Sequence, residues 1–494
     1  MYFNDFLNIF EKWFYFFRIF LLQLFIFITS SVHAEVAGER KKADWFFSNA
    51  VAQQENRIQI SRISNYQFSP LTQEQTFAKS TAFVANQISL INAVQQAITT
   101  HPDIQQQVSS LAAQNENINV AQAAYFPQLS GGISTGDMTT GERGRQLISL
   151  NATQMLYDFG KVKTSVDIQQ TRLWAEQAQL LISIDDVALR TSSAIINIKR
   201  SQEMVRIAER QINGIQKIVE ITQLRAQAGV SSQADPVQAK SYLQAAQTNL
   251  LAQQSLLNQY QLQLRSLIGI NLGEKQWDIP NFLIAKSSLY DEPNFKQIPK
   301  MMHASAEIQT AQAQKTQTKL SRYPTLNVKG SLNQAVNGRN PNNNEDNGLY
   351  SSIMLEANSN FFQGGAIAAQ ARSASYAEQA AKAKLNSVYL DVLDQVRLNR
   401  EQVESKQNQM KILQARQMTT IKTKELYQEQ YKLGTRTALD LLNAEQAIHA
   451  VASDIESTRY DIYSSLVQFI AATGKSREVY ALDHLNIHGV TIQP

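Results

Sequence analysis

Apolar residues recur every seven positions along several long segments of the chain. Residues 161–228 contain no proline and carry this spacing at Ile198, Val205, Ile212 and Val219. Residues 231–268 carry it at Leu243, Leu250, Leu257 and Leu264, and residues 366–432 with 436–473 form a second pair of segments. Heptads in consecutive segments predict antiparallel helices that pack as coiled coils. At about 1.5 Å per residue the longer helices would extend on the order of 100 Å.

Two pairs of segments with alternating apolar and polar residues precede these helices. In the first pair one face of a strand carries Ile148, Leu150, Ala152 and Leu156. The second pair repeats the alternation at Leu326, Val328 and Leu332, and then at Ile353, Leu355, Ala357 and Phe361. Strands of about ten residues with one apolar and one polar face are typical of transmembrane β-barrels.

The two pairs belong to an internal duplication with an offset of 205 residues. The segment Gly229–Asp235 returns as Gly434–Asp440, and the glycines at 160 and 269 find counterparts at 365 and 474. Several correspondences at one offset predict a repeated unit of two strands and a helical hairpin. Gly229 and Gly434 are expected in the hairpin turns, because a tight turn between helices favours a residue that tolerates positive φ.

The duplication organises the whole chain. Each repeat opens with a helix, interrupted at His101-Pro102 in the first, and residues 86–124 and 300–322 are expected to stack on the ends of the returning helices. The expected segments are residues 1–34, a signal peptide; 35–85, a loosely ordered extension; 86–269, the first repeat; 270–299, an irregular linker; 300–474, the second repeat; and 475–494, a tail.

The N-terminal segment has the layout of a secretory signal. Lys12 and Arg18 precede a short apolar run, and small residues near Ala34 provide a cleavage site. A membrane anchor is the alternative, but Arg18 interrupts the run and a spanning helix needs roughly 20 apolar residues. No other segment is apolar enough to span a bilayer as a helix, so a membrane role would have to use strands.

Composition excludes several classes of site. The chain has no cysteine, which excludes disulfides, thiol catalysis and zinc–thiolate sites, and its net charge of +4 gives no nucleic-acid signature. The sequence shows no nucleophile–base constellation and no phosphate-binding glycine loop. His484 and His488 have the spacing of metal ligands but are expected to be solvated. We therefore expect neither an enzyme nor a cofactor or metal site.

Four strands per chain cannot close a barrel, since the smallest natural barrels have about eight. Open strand edges in lipid are costly, so a membrane role requires strands pooled from several copies. Two copies would give eight strands and an interior filled by side chains, whereas three would give twelve strands and a lumen.

Over residues 86–474 the sequence resembles the TolC-type outer-membrane efflux family. The resemblance is most specific in the segment Tyr431–Ala444, with support from the Gly229 turn and from the strand-to-helix junction at 156–160. It implies a homotrimer with a 12-stranded barrel in outer-membrane lipid and an α-helical barrel in the periplasm. It also implies a periplasmic adaptor and an inner-membrane ABC or proton-driven pump as partners.

The resemblance implies a gate where the hairpin turns close the tunnel. By position, Asp235 would bond Tyr431, and Arg436 would bond near residue 234, where Ala234 leaves only a backbone carbonyl or Asp235. Asp440 would line the channel constriction. The next constriction position is Asn443, so three rather than six carboxylates would line it. Alternatively, Asp235 and Asp440 simply favour the helix N-termini through the helix dipole.

The expected function is that of an outer-membrane channel-tunnel. Type I protein secretion is favoured as its role, with multidrug efflux as a second possibility. The competing hypothesis is a soluble periplasmic coiled-coil adaptor. An adaptor would typically have one hairpin between β-rich modules, whereas this chain has two hairpins, each preceded by amphipathic strands.

Overall fold

The structure is a computed structural model that describes residues 59–60, 87–136, 145–269, 276–279, 282–340, 343–360, 362–483, 485–487 and 490–491. The predicted signal peptide, nearly all of the extension 35–85, Phe361 and the two tail histidines lie outside these residues. Residues Ile60–Ile492 belong to one compact unit. A two-residue strand, β1, lies at Gln59–Ile60.

The first repeat begins with short elements. Strand β2 (Gln87–Ser89) precedes helices α1 (Leu90–Thr100) and α2 (Pro102–Gln122). The predicted interruption between the helices is confirmed. It arises because Nδ1 of His101 accepts the N–H of Asp103 at 3.2 Å and Pro102 occupies the first helical position.

The strands and the helical hairpin follow. Strands β3 (Gln128–Gly136) and β4 (Arg145–Tyr157) lead into α3 (Lys161–Gln227), and α4 (Ala234–Ile268) returns beside it. Helix α3 has 67 residues and therefore extends about 100 Å, as the sequence predicted. Ile198 and Val219 of its heptad are buried.

The linker contains β5 (Gln276–Asp278), which pairs in parallel with β2, and α5 (Phe282–Ser287). The second repeat then comprises α6 (Pro299–Leu320), β6 (Thr325–Asn337), β7 (Leu349–Asn358), α7 (Ala366–Lys432) and α8 (Ala438–Ala472). Short 3₁₀ helices lie at Ala123–Tyr125 and Phe295–Gln297. The tail forms α9 (Ser476–Val479) and the paired strands β8 (Asn486–Ile487) and β9 (Val490–Thr491).

Both hairpins combine a 67-residue helix with a 35-residue helix, and a shorter helix completes the length of each returning helix. The hydroxyl of Thr100 donates to the carbonyl of Ile268 at 3.3 Å, which joins α1 to the end of α4. In the second repeat a Cβ on Gly474 would lie 2.5 Å from the ring of Pro299, so α6 abuts the end of α8. The predicted end-to-end stacking is confirmed.

The four long strands form one antiparallel sheet in the order β3-β4-β6-β7. Cross-strand partners place Ile133 beside Ile148 and Leu150 beside Leu332 on an apolar face. The opposite face is polar and carries a Ser331–Ser352 hydrogen bond of 2.7 Å and a Lys329–Glu356 ion pair. The predicted division into an apolar and a polar face is confirmed.

Strand β4 contains an irregularity close to its end. The register of β4 shifts between Met155 and Tyr157, so Tyr157 rather than Leu156 pairs with Leu326. A β-bulge adds one residue to its strand and moves the following side chains to the other face. Leu156 is therefore the extra residue of β4 and has no partner on β6.

Within the part of the chain that the structure describes, no helix is both long enough and apolar enough to cross a membrane.

Candidate functional site

Both hairpins turn in the same way. Gly229 has φ +69° and Gly434 has φ +76°. In the first turn the N–H of Val230 donates to the carbonyl of Arg225 at 2.9 Å, and in the second the N–H of Thr435 donates to the carbonyl of Gln430 at 3.0 Å. This pattern satisfies carbonyls at the end of a helix and requires a left-handed residue at the glycine. The structure therefore places Gly229 and Gly434 in the turns.

We expect Gly434→Ala to destabilise the protein by about 1–2 kcal/mol, because a Cβ is strained in left-handed backbone. The nearest atom to that Cβ would be Nη2 of Arg225 at 4.0 Å, so crowding adds nothing. Gly434→Asn is the matched control, since asparagine tolerates this conformation better. Urea denaturation of the purified protein measures both variants, and equal stability of Gly434→Ala and wild type would contradict the prediction.

The link between the two turns is made by Arg225, a residue that the sequence analysis missed. Nη1 of Arg225 donates to the backbone carbonyl of Tyr431 at 3.3 Å. Its guanidinium carbon also lies 4.9 Å from the centre of the Tyr431 ring, within the range of a cation–π contact. The duplication carried a signal for this role, because the counterpart of Arg225 in the second repeat is the uncharged Gln430.

In the single chain, Arg436 contacts residues of the second hairpin. Nε of Arg436 donates to Oε1 of Gln430 at 3.0 Å, and its guanidinium carbon lies 4.4 Å from the centre of the Tyr427 ring. Nη1 is 3.9 Å from Oδ2 of Asp440. These partners are local to the turn, whereas Ala234 offers no side-chain acceptor in the first turn.

The predicted bond between Asp235 and Tyr431 is not formed. Tyr431 is 4 % exposed, and its hydroxyl has no hydrogen-bond partner among the described residues. Burial raises the pKa of the Tyr431 phenol, and the charge of Asp235 adds to this effect while Arg225 opposes it. The phenol therefore remains protonated at neutral pH and is a buried donor without an acceptor. A donor of this kind is costly unless another group reaches it.

Asp440 has a local role in the single chain. Its Oδ2 accepts from the N–H of Thr437 at 3.2 Å and from the hydroxyl of Thr437 at 2.9 Å, which completes a capping box at the start of α8. The hydrogen bonds from Thr437, together with the charge of Arg436, hold the pKa of Asp440 below its usual value. The side chain is nevertheless 35 % exposed, so Asp440 presents a carboxylate at the hairpin end.

Asn443 forms a second contact between the hairpins. Its Oδ1 accepts from the hydroxyl of Tyr242 on α4 at 3.2 Å. Beneath the turns the hairpins also share an apolar cluster, which we call the tip cluster: Ile215, Ile218, Val219, Ala239, Ala246, Tyr431, Ala438, Leu441 and Leu442. The site therefore holds the two hairpins together by packing and by a few polar contacts.

Comparison with known proteins places this architecture in a family. The family described as "Outer membrane efflux protein" matches residues 93–270 and 296–475, which coincide with the two repeats. The matched residues make up more than two-thirds of the chain. The protein belongs to the outer membrane efflux protein family. It is a TolC-type member whose duplicated hairpins correspond to the two matched segments.

Curated relatives of this outer membrane efflux protein are distant but extend over most of the chain. Outer membrane protein TolC of Vibrio cholerae serotype O1 is 21% identical over 393 residues, which cover 76% of this chain and 89% of the relative. Outer membrane efflux protein BepC of Brucella suis is 22% identical over 407 residues, covering 78% and 85%. Alkaline protease secretion protein AprF of Pseudomonas aeruginosa is 21% identical over 411 residues, covering 76% and 82%.

Among solved structures, the outer membrane protein VceC of Vibrio cholerae has a TM-score of 0.68 at 16% identity. The match covers 78% of this chain and 96% of VceC. At this identity the likeness establishes the fold of this efflux protein.

Proposed function

We propose that the protein is an outer-membrane channel that carries exported substrates from a periplasm-spanning pump complex to the exterior. The observation that carries the proposal is the four-stranded sheet. Its edge strands β3 and β7 pair on one side only among the described residues, and its apolar face is open, with Ile133 79% and Ile353 81% exposed. Open edges and exposed apolar side chains are both satisfied when sheets join around a pore in lipid.

Three copies would supply twelve strands and a lumen, with the apolar face toward outer-membrane lipid and the Lys329–Glu356 face toward water. The hairpins, about 100 Å long, would then continue the pore through the periplasm. The expected partners are a periplasmic adaptor and an inner-membrane ABC or proton-driven pump.

A heat-sensitive trimer in the outer-membrane fraction is the expected result on mild-detergent gels. Recovery of monomer in the soluble periplasm would favour the adaptor hypothesis.

The hairpin turns would form the gate of this channel. Arg225 and Tyr431 connect the two hairpins within a chain, while Arg436 contacts Gln430 and Tyr427 of its own hairpin. In the assembled channel we assign Asp235 as the acceptor for the Tyr431 hydroxyl, because that hydroxyl is buried, protonated and unpaired in the single chain. Asp440 and Asn443 would line the channel constriction just inside the turns.

Asp440→Asn is expected to reduce the cation selectivity of the channel. Three carboxylates converging on the axis attract cations and repel anions, and the substitution removes all three. Asparagine retains an oxygen that can accept from Thr437, so the helix cap is largely preserved. Reversal potentials across a planar bilayer with a salt gradient measure the effect. Unchanged selectivity would remove Asp440 from the constriction and leave it as a capping residue.

We favour type I protein secretion over multidrug efflux as the role of the channel. The relative AprF carries a secretion name, whereas BepC carries an efflux name, so family likeness supports both. A pull-down of the cross-linked complex that identifies the inner-membrane pump tests this choice. Loss of a secreted protein from the medium of a deletion strain would support secretion. Sensitivity to small toxic molecules with unchanged secretion would favour efflux.

A further inference from the structure

Gly214 lies in the interior of helix α3, where no turn requires a glycine. Gly214 lies fifteen residues before Gly229, in a helical position where glycine is unfavourable because of its flexible backbone. A Cβ at this position would lie 1.7 Å from Oε1 of Glu445 and 2.6 Å from its Cδ. Gly214 therefore leaves a notch in the surface of α3, and the carboxyl group of Glu445 on α8 fills it.

The carboxyl group in the notch is buried and paired. Glu445 is 2 % exposed, with Nζ of Lys424 on α7 2.5 Å from its Oε2 and Nε2 of His449 on α8 3.1 Å from its Oε1. Burial raises the pKa of Glu445, but the hydrogen bond with His449 and the charge of Lys424 outweigh burial, so its pKa lies below its usual value. A single carboxylate thus connects α3, α7 and α8.

The contact between Gly214 and Glu445 lies next to the tip cluster, on the side away from the hairpin turns. Gly214 precedes Ile215 of the cluster, and Glu445 follows Leu441 and Leu442 by about one helical turn. At about 1.5 Å per residue, Gly214 and Glu445 lie on the order of 15–25 Å from the hairpin turns. The contact therefore fixes the start of α8 against the first hairpin, and α8 carries Asp440 and Asn443.

We propose that Glu445, held by Lys424 and inserted into the Gly214 notch, is a positioning residue that locks the second hairpin to the first. The lock rests on the proposed function of the turns as a gate: the channel opens when this carboxylate leaves the notch. A buried ion pair suits a reversible contact. Its charges lose hydration when the hairpins close and regain it when they separate, whereas an apolar contact would resist exposure.

Single-channel conductance of the purified full-length protein in planar bilayers tests the lock. Gly214→Ala fills the notch without changing a charge, and Glu445→Gln removes the charge with little change in shape. Both are expected to raise the conductance severalfold. If Gly214 and Glu445 serve only packing, Gly214→Ala would lower the stability of the protein through the clash with Glu445 and leave the conductance unchanged. Unchanged conductance in both variants would overturn the proposal.

The matched control is Glu425→Gln, which removes an equal charge from the residue next to Lys424. Glu425 forms an exposed ion pair with Lys422 within α7, and exposed ion pairs of this kind contribute little to stability. Wild-type conductance is expected. If wild-type protein forms no conducting pores, the proposed function fails; conducting wild-type pores with unaffected Gly214 and Glu445 variants contradict the lock alone.

A reversible cross-link provides a second test, because the chain has no cysteine of its own. The Cβ position at 214 lies 3.3 Å from Cγ of Glu445, where a cysteine sulfur would lie, which is compatible with a disulfide between Gly214→Cys and Glu445→Cys. The oxidised double variant should remain closed and block export, and a reductant should raise its conductance to that of Glu445→Gln. Export by fully oxidised protein would overturn the proposal.

Discussion

Leu150→Arg is expected to prevent assembly of the protein in the outer membrane. Leu150 is 52% exposed near the middle of β4, and its neighbours on the apolar face are Gly131 and Leu332. In the proposed barrel this face meets lipid, where an arginine near the bilayer midplane costs about 2–4 kcal/mol. A trimer would carry three such residues, so the total cost is comparable with the whole stability of many folded proteins. The amount of heat-sensitive trimer in outer-membrane fractions measures the loss.

The next residue provides the matched control. Asn151 lies on the polar face of β4, where its cross-strand partners are Ser130 and Ser331. Asn151→Arg introduces the same side chain at the same depth but directs it toward the water-filled lumen. We expect normal amounts of trimer. Equal loss in both variants, or normal insertion of Leu150→Arg, would contradict a lipid-facing apolar surface.

The elements of the fold were predictable because they depend on local patterns. Alternation of period two predicted the strands and their faces, and heptads bounded by glycines predicted both hairpins to within a few residues. The bulge at Leu156 was not predictable in this way. It depends on how β4 pairs with β6, and that pairing joins residues far apart in sequence.

The hairpin end was predictable only in part, for a related reason. Positive φ at Gly229 and Gly434 follows from the backbone requirement of a turn, and the position of each turn follows from the repeat. The contact partners of long side chains do not follow from the backbone or from the repeat. Gln430 and Tyr427 lie within ten residues of Arg436 and capture it. Arg225 reaches Tyr431 because the two hairpins pack together at the tip cluster, and no local motif encodes that contact.

A carboxyl group buried far from the hairpin turns is expected to make the stability of the protein depend on pH. Asp185 of α3 is 7% exposed and lies where the tail segment α9 packs on that helix. Burial raises the pKa of Asp185 to about 7, although the Ser476 hydroxyl and the charges of Arg477 and Lys300 oppose the rise. Tyr480 lies nearby, 1% exposed, and its hydroxyl is 2.9 Å from Oγ of Ser192. The fold therefore favours the protonated form of Asp185.

This raised pKa makes the stability of wild-type protein depend on pH. Below about pH 4 the carboxyl is protonated in both the folded and the unfolded chain, and no penalty exists. Between about pH 4 and pH 7 the unfolded chain ionises while the folded chain does not, so the free energy of unfolding falls. Above pH 7 the decrease in the free energy of unfolding is complete. It amounts to roughly 4 kcal/mol, at about 1.4 kcal/mol for each unit by which the pKa of Asp185 is raised.

Asp185→Asn should therefore stabilise the protein at pH 8 and have little effect at pH 4. The amide carries no charge to desolvate and retains the shape of the carboxyl group. Thermal unfolding in detergent at pH 4, 6 and 8 measures the difference in Tm between variant and wild type, which should widen as the pH rises. Asp186→Asn removes an equal charge from the adjacent residue, which is exposed and paired with Arg190 at 3.0 Å, and it should show no such widening. A constant Tm difference for Asp185→Asn across this range would mean that the Asp185 carboxyl is ionised in the folded protein.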